Sequence, residues 1–85
     1  MLYEFMKVVV YTASATRQLR KLPANVREQL IAKLHRYAET GAGDVTALMG
    51  RPGVRLRVGD YRIVFVETND AISVRALGHR RDVYE

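Results

Sequence analysis

Hydrophobic positions along the chain change rhythm several times, and each rhythm predicts a different element. Lys7 to Tyr11 (KVVVY) is short, β-branched and apolar, the pattern of a buried strand. TASATRQLRKL follows, with Leu19 and Leu22 on one face of a short helix and Thr12 or Ser14 as its N-cap. Pro23 breaks that helix. A second helix is expected from Ala24 or Asn25, where Asn25 and Glu28 have the spacing of a capping box. Val26, Leu30, Leu34 and Tyr37 recur at i, i+4, i+8 and i+11, a core-facing stripe, and Gly41 ends the helix as a C′ residue.

Residues 42–53 (AGDVTALMGRPG) read as loop, with one turn of helix placed at Val45–Met49. The period then drops to two. VRLRV alternates Val54, Leu56 and Val58 with Arg55 and Arg57, giving one apolar face and one arginine face. Gly59-Asp60 makes a tight turn, YRIVFVET reads as a central strand, Asn69-Asp70 turns again, and AISVRAL is the last strand. The order β-α-α-β-β-β predicts a two-layer α+β domain. A helix hairpin packs on one face of a mainly antiparallel four-stranded sheet, with the first strand added back beside the last three. The other face is left open. Residues 1–85 are read as a single domain, in which Met6 offers a second start and would make residues 1–5 a dispensable extension.

Composition narrows the chemistry. The 85 residues include no cysteine, so disulfides, thiolate nucleophiles and zinc–thiolate sites are excluded. No apolar run approaches the ~20 residues that span a bilayer, and the N-terminus lacks the features of a signal peptide. The expectation is a cytoplasmic protein with no membrane contact. The formal charge is +5, a field that favours polyanionic partners. From Arg51 onward every cation is an arginine, whose planar donor fork matches phosphate.

Arg55 and Arg57 share a face by alternation, and Arg62 follows across the hairpin turn. If the register aligns them, three guanidinium groups sit together on the open face. They would then either be solvated and paired with carboxylates such as Glu67, or be held for an anion. The tail GHRRDVY adds His79, Arg80, Arg81 and Tyr84 at the end of the last strand, with Gly78 free to turn. This set is chemically sufficient for cleaving RNA by attack of the 2′-OH on its adjacent phosphate. That reaction needs a base, an acid and positive donors for the phosphorane, and no metal or cofactor. Arginine stays protonated and can only clamp, so the proton movers reduce to His79, Tyr84, Tyr61 and a few carboxylates. The same residues could equally hold a phosphate backbone without chemistry.

The runs KLPANVREQL, VRLRVGDYRIVFV and VRALGHRRDVYE resemble the RelE/ParE superfamily, toxins of type II toxin–antitoxin systems, from about Lys7 to Tyr84 and most specifically at 57–62 and 78–84. Resemblance to the RelE-like branch implies a RelE-like fold and a ribosome-dependent mRNA endoribonuclease that inhibits translation. It also implies the ribosome and mRNA as partners, and a toxin–antitoxin hetero-oligomer in which a cognate antitoxin silences the nuclease. By the same resemblance Arg62 binds the scissile phosphate, Arg80 supports the leaving group, and Tyr84 stacks on a base and aids proton transfer, while Arg55 is a basic strand contact. Arg57 and Arg81 are further substrate contacts. Some members carry two strand lysines, one a proposed general base, where this chain has Gly53 and Arg55. The proton-moving role then passes to His79 or Tyr84, or cleavage is slowed or lost. Two other readings remain: a ParE-like inhibitor of DNA gyrase, and a non-catalytic module that binds nucleic acid or ribosome.

Overall fold

The computed structural model describes residues 6–83; the extension 1–5 and Tyr84 lie outside the described residues. The first strand, β1 (Val8–Tyr11), leads into helix α1 (Ala13–Arg20) and helix α2 (Ala24–Thr40). Four further strands follow: β2 (Asp44–Ala47), β3 (Val54–Val58), β4 (Tyr61–Glu67) and β5 (Ala71–His79). They form a five-stranded sheet in the order β1-β5-β4-β3-β2, antiparallel except that β1 runs parallel to β5.

The sheet departs from the sequence expectation at both edges. The run read as a buried strand is the edge strand β1, paired only with β5, so Val8 and Val10 are exposed. The other edge is a fifth strand. The segment read as loop with a helical turn at Val45–Met49 is instead an edge strand, with Val45 opposite Leu56 and Thr46 opposite Arg55. All four of its residues are exposed, so it carries no burial rhythm, and backbone pairing with β3 alone holds it. Leu48 N–H closes this hairpin on Gly53 O at 3.0 Å.

Both helices form where expected, with one correction. Thr12 caps α1, its hydroxyl accepting from Ala15 N–H at 3.1 Å. The Asn25–Glu28 capping box does not form. Pro23 takes the N-cap position and its carbonyl accepts Arg27 N–H at 2.9 Å, which leaves Asn25 inside the first turn. Gly41 ends α2 in the left-handed conformation at φ 78°, donating back to Tyr37 O. Leu30, Leu34 and Ala38 of α2 are buried with Ala15 of α1 against Leu56, Val58, Ile63, Phe65, Ile72, Val74 and Leu77 of the sheet. Val26 and Tyr37 complete the stripe at its half-buried ends.

A β-bulge sets the last strand. Val64 pairs with Ala76 but the next pair is Phe65 with Val74, so Arg75 is the extra residue on β5. The bulge returns Leu77 to the core and puts Arg75 and Ala76 together on the open face. β1 pairs with β5 only as far as Val74, and beyond that point the Leu77 amide is satisfied by Gln18 Oε1 of α1 at 2.8 Å.

At the opposite end of the sheet, Glu67 joins three elements. Lys7 Nζ meets Glu67 Oε2 at 2.5 Å and Thr68 O at 2.8 Å, and Tyr37 donates to Glu67 Oε1 at 2.7 Å. Burial pushes Tyr37 up to about 12, helped by the neighbouring carboxylate. For Glu67 burial acts upward, but the hydrogen bonds from Lys7 and Tyr37 and the Lys7 charge outweigh it and hold the carboxyl below its ordinary range. Glu67 is therefore committed here to Lys7 and Tyr37.

Candidate phosphate site on the open sheet face

The site starts from period-two alternation on β3. With Leu56 and Val58 buried under the helices, Arg55 and Arg57 must face away from them. The β3–β4 register then places Arg57 directly opposite Arg62 and Arg55 opposite Val64. Arg55, Arg57 and Arg62, with Asp44 and Thr46 of β2, line a shallow pocket of about 210 Å³. The alignment on which the sequence reading depended is present.

Two like charges directly opposite across strands repel, and among the described residues no salt bridge joins Arg57 or Arg62 to a carboxylate. Asp44, the register partner of Arg57, supplies the one negative charge in the lining. Among the described residues of the lining, guanidinium groups outnumber carboxylates.

Arg62 is held in place. Its Nη1 donates to Gly59 O at 2.8 Å and Tyr61 O at 2.9 Å, which fixes the guanidinium on the β3–β4 turn. Both Nη1 hydrogens are used, which leaves the donor fork of Nε and Nη2 for an anion. Arg80 is tied to the same turn by its backbone, its N–H donating to Asp60 O at 2.7 Å while the side chain stays exposed.

The tail folds back rather than fraying. Asp82 N–H and Val83 N–H both reach His79 O, closing a turn. Gly78 sits opposite Arg62, and a Cβ there would stand 3.1 Å from Val83 Cγ2, so the missing side chain makes room for Val83 on the open face. Tyr84 follows Val83 in sequence but falls outside the described residues. Arg81 lies exposed on the tail turn.

His79 is not brought to the arginines. It pairs with Tyr61, whose neighbours Ile63 and Phe65 face the helices, and the two rings meet edge-on at 5.5 Å. It lines a separate groove with Gln18, Lys21 and Leu22 of the helix layer. Its Nδ1 accepts the Arg81 N–H at 3.2 Å, so a neutral ring in this arrangement carries its proton on Nε2. Sequence reasoning missed Asp44 and Thr46, because an exposed four-residue edge strand gives no periodic signal.

Among the described residues no group of three or more His, Asp or Glu side chains is placed to hold a metal ion. No helix among them is long and apolar enough to cross a membrane.

Known proteins give these features a family. The isolated RelE toxin of E. coli superposes with a TM-score of 0.73 at 26% identity, over 86% of this chain and 83% of that one. The RelBE2 toxin–antitoxin complex of Mycobacterium tuberculosis gives 0.76 at 19% identity, covering 94% and 98%. The RelB–RelE antitoxin–toxin complex of Methanococcus jannaschii gives 0.72 at 21%, covering 88% and 94%. A comparison with curated proteins finds no match. The family model described as the ParE toxin of type II toxin–antitoxin system, parDE, matches residues 9–84. With a RelE-like fold and a family match across nearly its whole length, the chain belongs to the ParE toxin family, within the RelE/ParE superfamily of type II toxin–antitoxin toxins.

Proposed function

We propose that this toxin is a metal-independent, ribosome-dependent mRNA endoribonuclease that inhibits translation and is neutralised by a cognate antitoxin. The observation that carries the reading is the pocket of about 210 Å³ lined by Arg55, Arg57 and Arg62 on the open sheet face. In this proposal the scissile phosphate sits among those three guanidinium groups. The 2′-oxygen attacks phosphorus as its proton leaves to a base, and the bond from phosphorus to the 5′-oxygen breaks as that oxygen takes up a proton. Arg62 contributes most, because its fork is held in advance by the turn carbonyls and needs no reorganisation as charge builds. Arg80, anchored on the same turn, supports the leaving oxygen, and Arg81 contacts the flanking backbone.

Tyr84 is proposed to complete the site, since it follows Val83, which packs over Gly78 beside Arg62. His79 enters as a positioning residue: its Nδ1 organises the tail turn that carries Arg80 and Arg81. Asparagine can offer the same acceptor to the Arg81 amide but cannot shuttle a proton at neutral pH. His79→Asn is therefore expected to keep activity that His79→Ala loses; a His79→Asn variant as inactive as His79→Ala returns the histidine to proton transfer.

The test is induction in growing cells with mRNA 5′ ends mapped and DNA topology followed. Codon-phased cuts in translated messages, abolished by Arg62→Ala and weakened by Tyr84→Phe, support the nuclease. The match to the ParE family favours a second reading, inhibition of DNA gyrase. Double-strand breaks with intact mRNA would establish it.

The antitoxin is proposed from the toxin–antitoxin complexes among the similar structures, RelB with RelE in both M. jannaschii and E. coli. An acidic or amphipathic segment laid over the helices or the arginine face suits the charge of this chain.

A further inference from the structure

Next to the phosphate pocket the open face changes character. Val64, the register partner of Arg55, begins a second depression of about 350 Å³, lined by Leu48, Pro52, Val64, Val66, Ala76 and two arginines, Arg51 and Arg75. Its size is at the lower end of the ~300–1,000 Å³ range of small-ligand sites, suited to one ring system. Three features of the fold build it. The β2–β3 hairpin carries Leu48 and Pro52 over the sheet. The bulge on β5 delivers two consecutive residues, Arg75 and Ala76, to the same place. The small Ala76 beside Val64 leaves an apolar floor. Arg51 and Arg75 are both exposed, and among the described residues neither has a carboxylate partner.

We propose that this depression is a base subsite for single-stranded RNA, seating one nucleobase on Val66 and Ala76, above the buried Val64, with the Arg51 and Arg75 guanidinium groups against it. The inference rests on the reading of the neighbouring pocket as a phosphate site and adds to it the group that binds beside the phosphate. The two pockets share a cross-strand pair, so their linings are separated by roughly 5 Å at the backbone, close enough for adjoining parts of one nucleotide chain. An apolar floor with guanidinium planes is the chemistry that holds unpaired bases without reading their edges. A peptide strand would instead seek free backbone donors, which paired β4 and β5 do not offer.

The test uses the whole purified protein and fluorescence anisotropy with two labelled probes that resist 2′-OH attack: 2′-O-methyl hexauridylate, and an abasic oligomer with the same backbone. Wild type is expected to bind the base-containing probe more tightly. Ala76→Leu fills the floor without changing charge, and should weaken hexauridylate fivefold or more, the loss of one stacked base, with the abasic probe unchanged. Arg51→Gln with Arg75→Gln should weaken both probes, but hexauridylate at least fivefold more. Should Ala76→Leu fail the folding check by circular dichroism, the double variant decides. Equal loss for both probes, or none, overturns the subsite, as does a variant that binds RNA normally but releases a co-expressed antitoxin. Wild type that binds neither probe overturns the subsite and the phosphate reading together. Base-dependent binding with no mRNA cleavage in cells leaves the subsite standing and removes the nuclease.

Discussion

Glu67 makes the sharpest test of how this small domain is held together. It is contacted by Lys7, the residue before β1, and by Tyr37 of α2, and the Lys7 and Glu67 side chains are each 25% exposed. Replacing it with alanine removes a hydrogen bond from Tyr37 to a charged acceptor, worth about 1.5–3 kcal/mol. It also removes an ion pair in partial contact with water, worth up to about 1 kcal/mol. Water reaches the abandoned Lys7 and Tyr37 and returns part of both, so the net cost is about 2 kcal/mol. For a domain of this size that lowers Tm by roughly 8–16 °C. Glu67→Gln keeps an acceptor for Tyr37 and loses the charge, at a cost of about 1 kcal/mol.

The pH dependence has a definite sign. Glu67 is held below its ordinary 4.5, so its contribution is complete above that pH and is lost as pH falls through the lowered folded value. Tyr37 is raised from 10.0 to about 12, so the stability tied to its neutral phenol is complete below pH 10 and fades as pH climbs toward 12. Urea unfolding from pH 3 to 8 is the assay. The gap between wild type and Glu67→Gln should be open at pH 7 and close in acid. A gap that is absent at pH 7, or that persists unchanged at pH 3, refutes the reasoning.

Other outcomes follow from the same geometry. Arg57→Gln relieves the repulsion with Arg62 and should raise stability by a few tenths of a kcal/mol, and under the proposed function it should lower the salt dependence of RNA binding by about one phosphate contact. Gly78→Ala sets a Cβ at 3.1 Å from Val83, so it should displace the tail and, under the proposed nuclease function, reduce mRNA cleavage in cells with a smaller effect on the urea midpoint. Leu34→Ala, at a position 1% exposed, should cost about 2–5 kcal/mol and leave little folded protein in a thermal melt. Thr12→Ala should cost about 1 kcal/mol by removing the cap on Ala15 N–H.

Local rules were enough for much of this protein. The Leu30 and Leu34 stripe, the Gly41 stop and the Gly59-Asp60 turn each follow from interactions within a few residues, and each appears in the structure. The β-branched run at the N-terminus is a strand as expected, but at the sheet edge, where Val8 and Val10 are exposed rather than buried. So does the common face of Arg55 and Arg57, because strand alternation is a property of the backbone. The alignment of Arg62 with them is also local, since a tight turn leaves the hairpin little freedom of register.

What the sequence could not determine depended on partners far along the chain. Asp44–Ala47 is a strand only because β3 offers it an edge, and its exposed side chains carry no trace of that pairing. Asn25 has capping-box spacing, yet the chain path through Pro23 carries it past the cap. Uninterrupted alternation would send Arg75 and Leu77 to the same face; the bulge opposite Val64 separates them, giving one to the open face and the other to the core. The tertiary structure also decided where the tail's histidine went. Its pairing with Tyr61 puts the imidazole on the helix side, while Val83 folds over Gly78 beside Arg62. Sequence listed the charged groups of the site, and long-range strand pairing chose which of them share a surface.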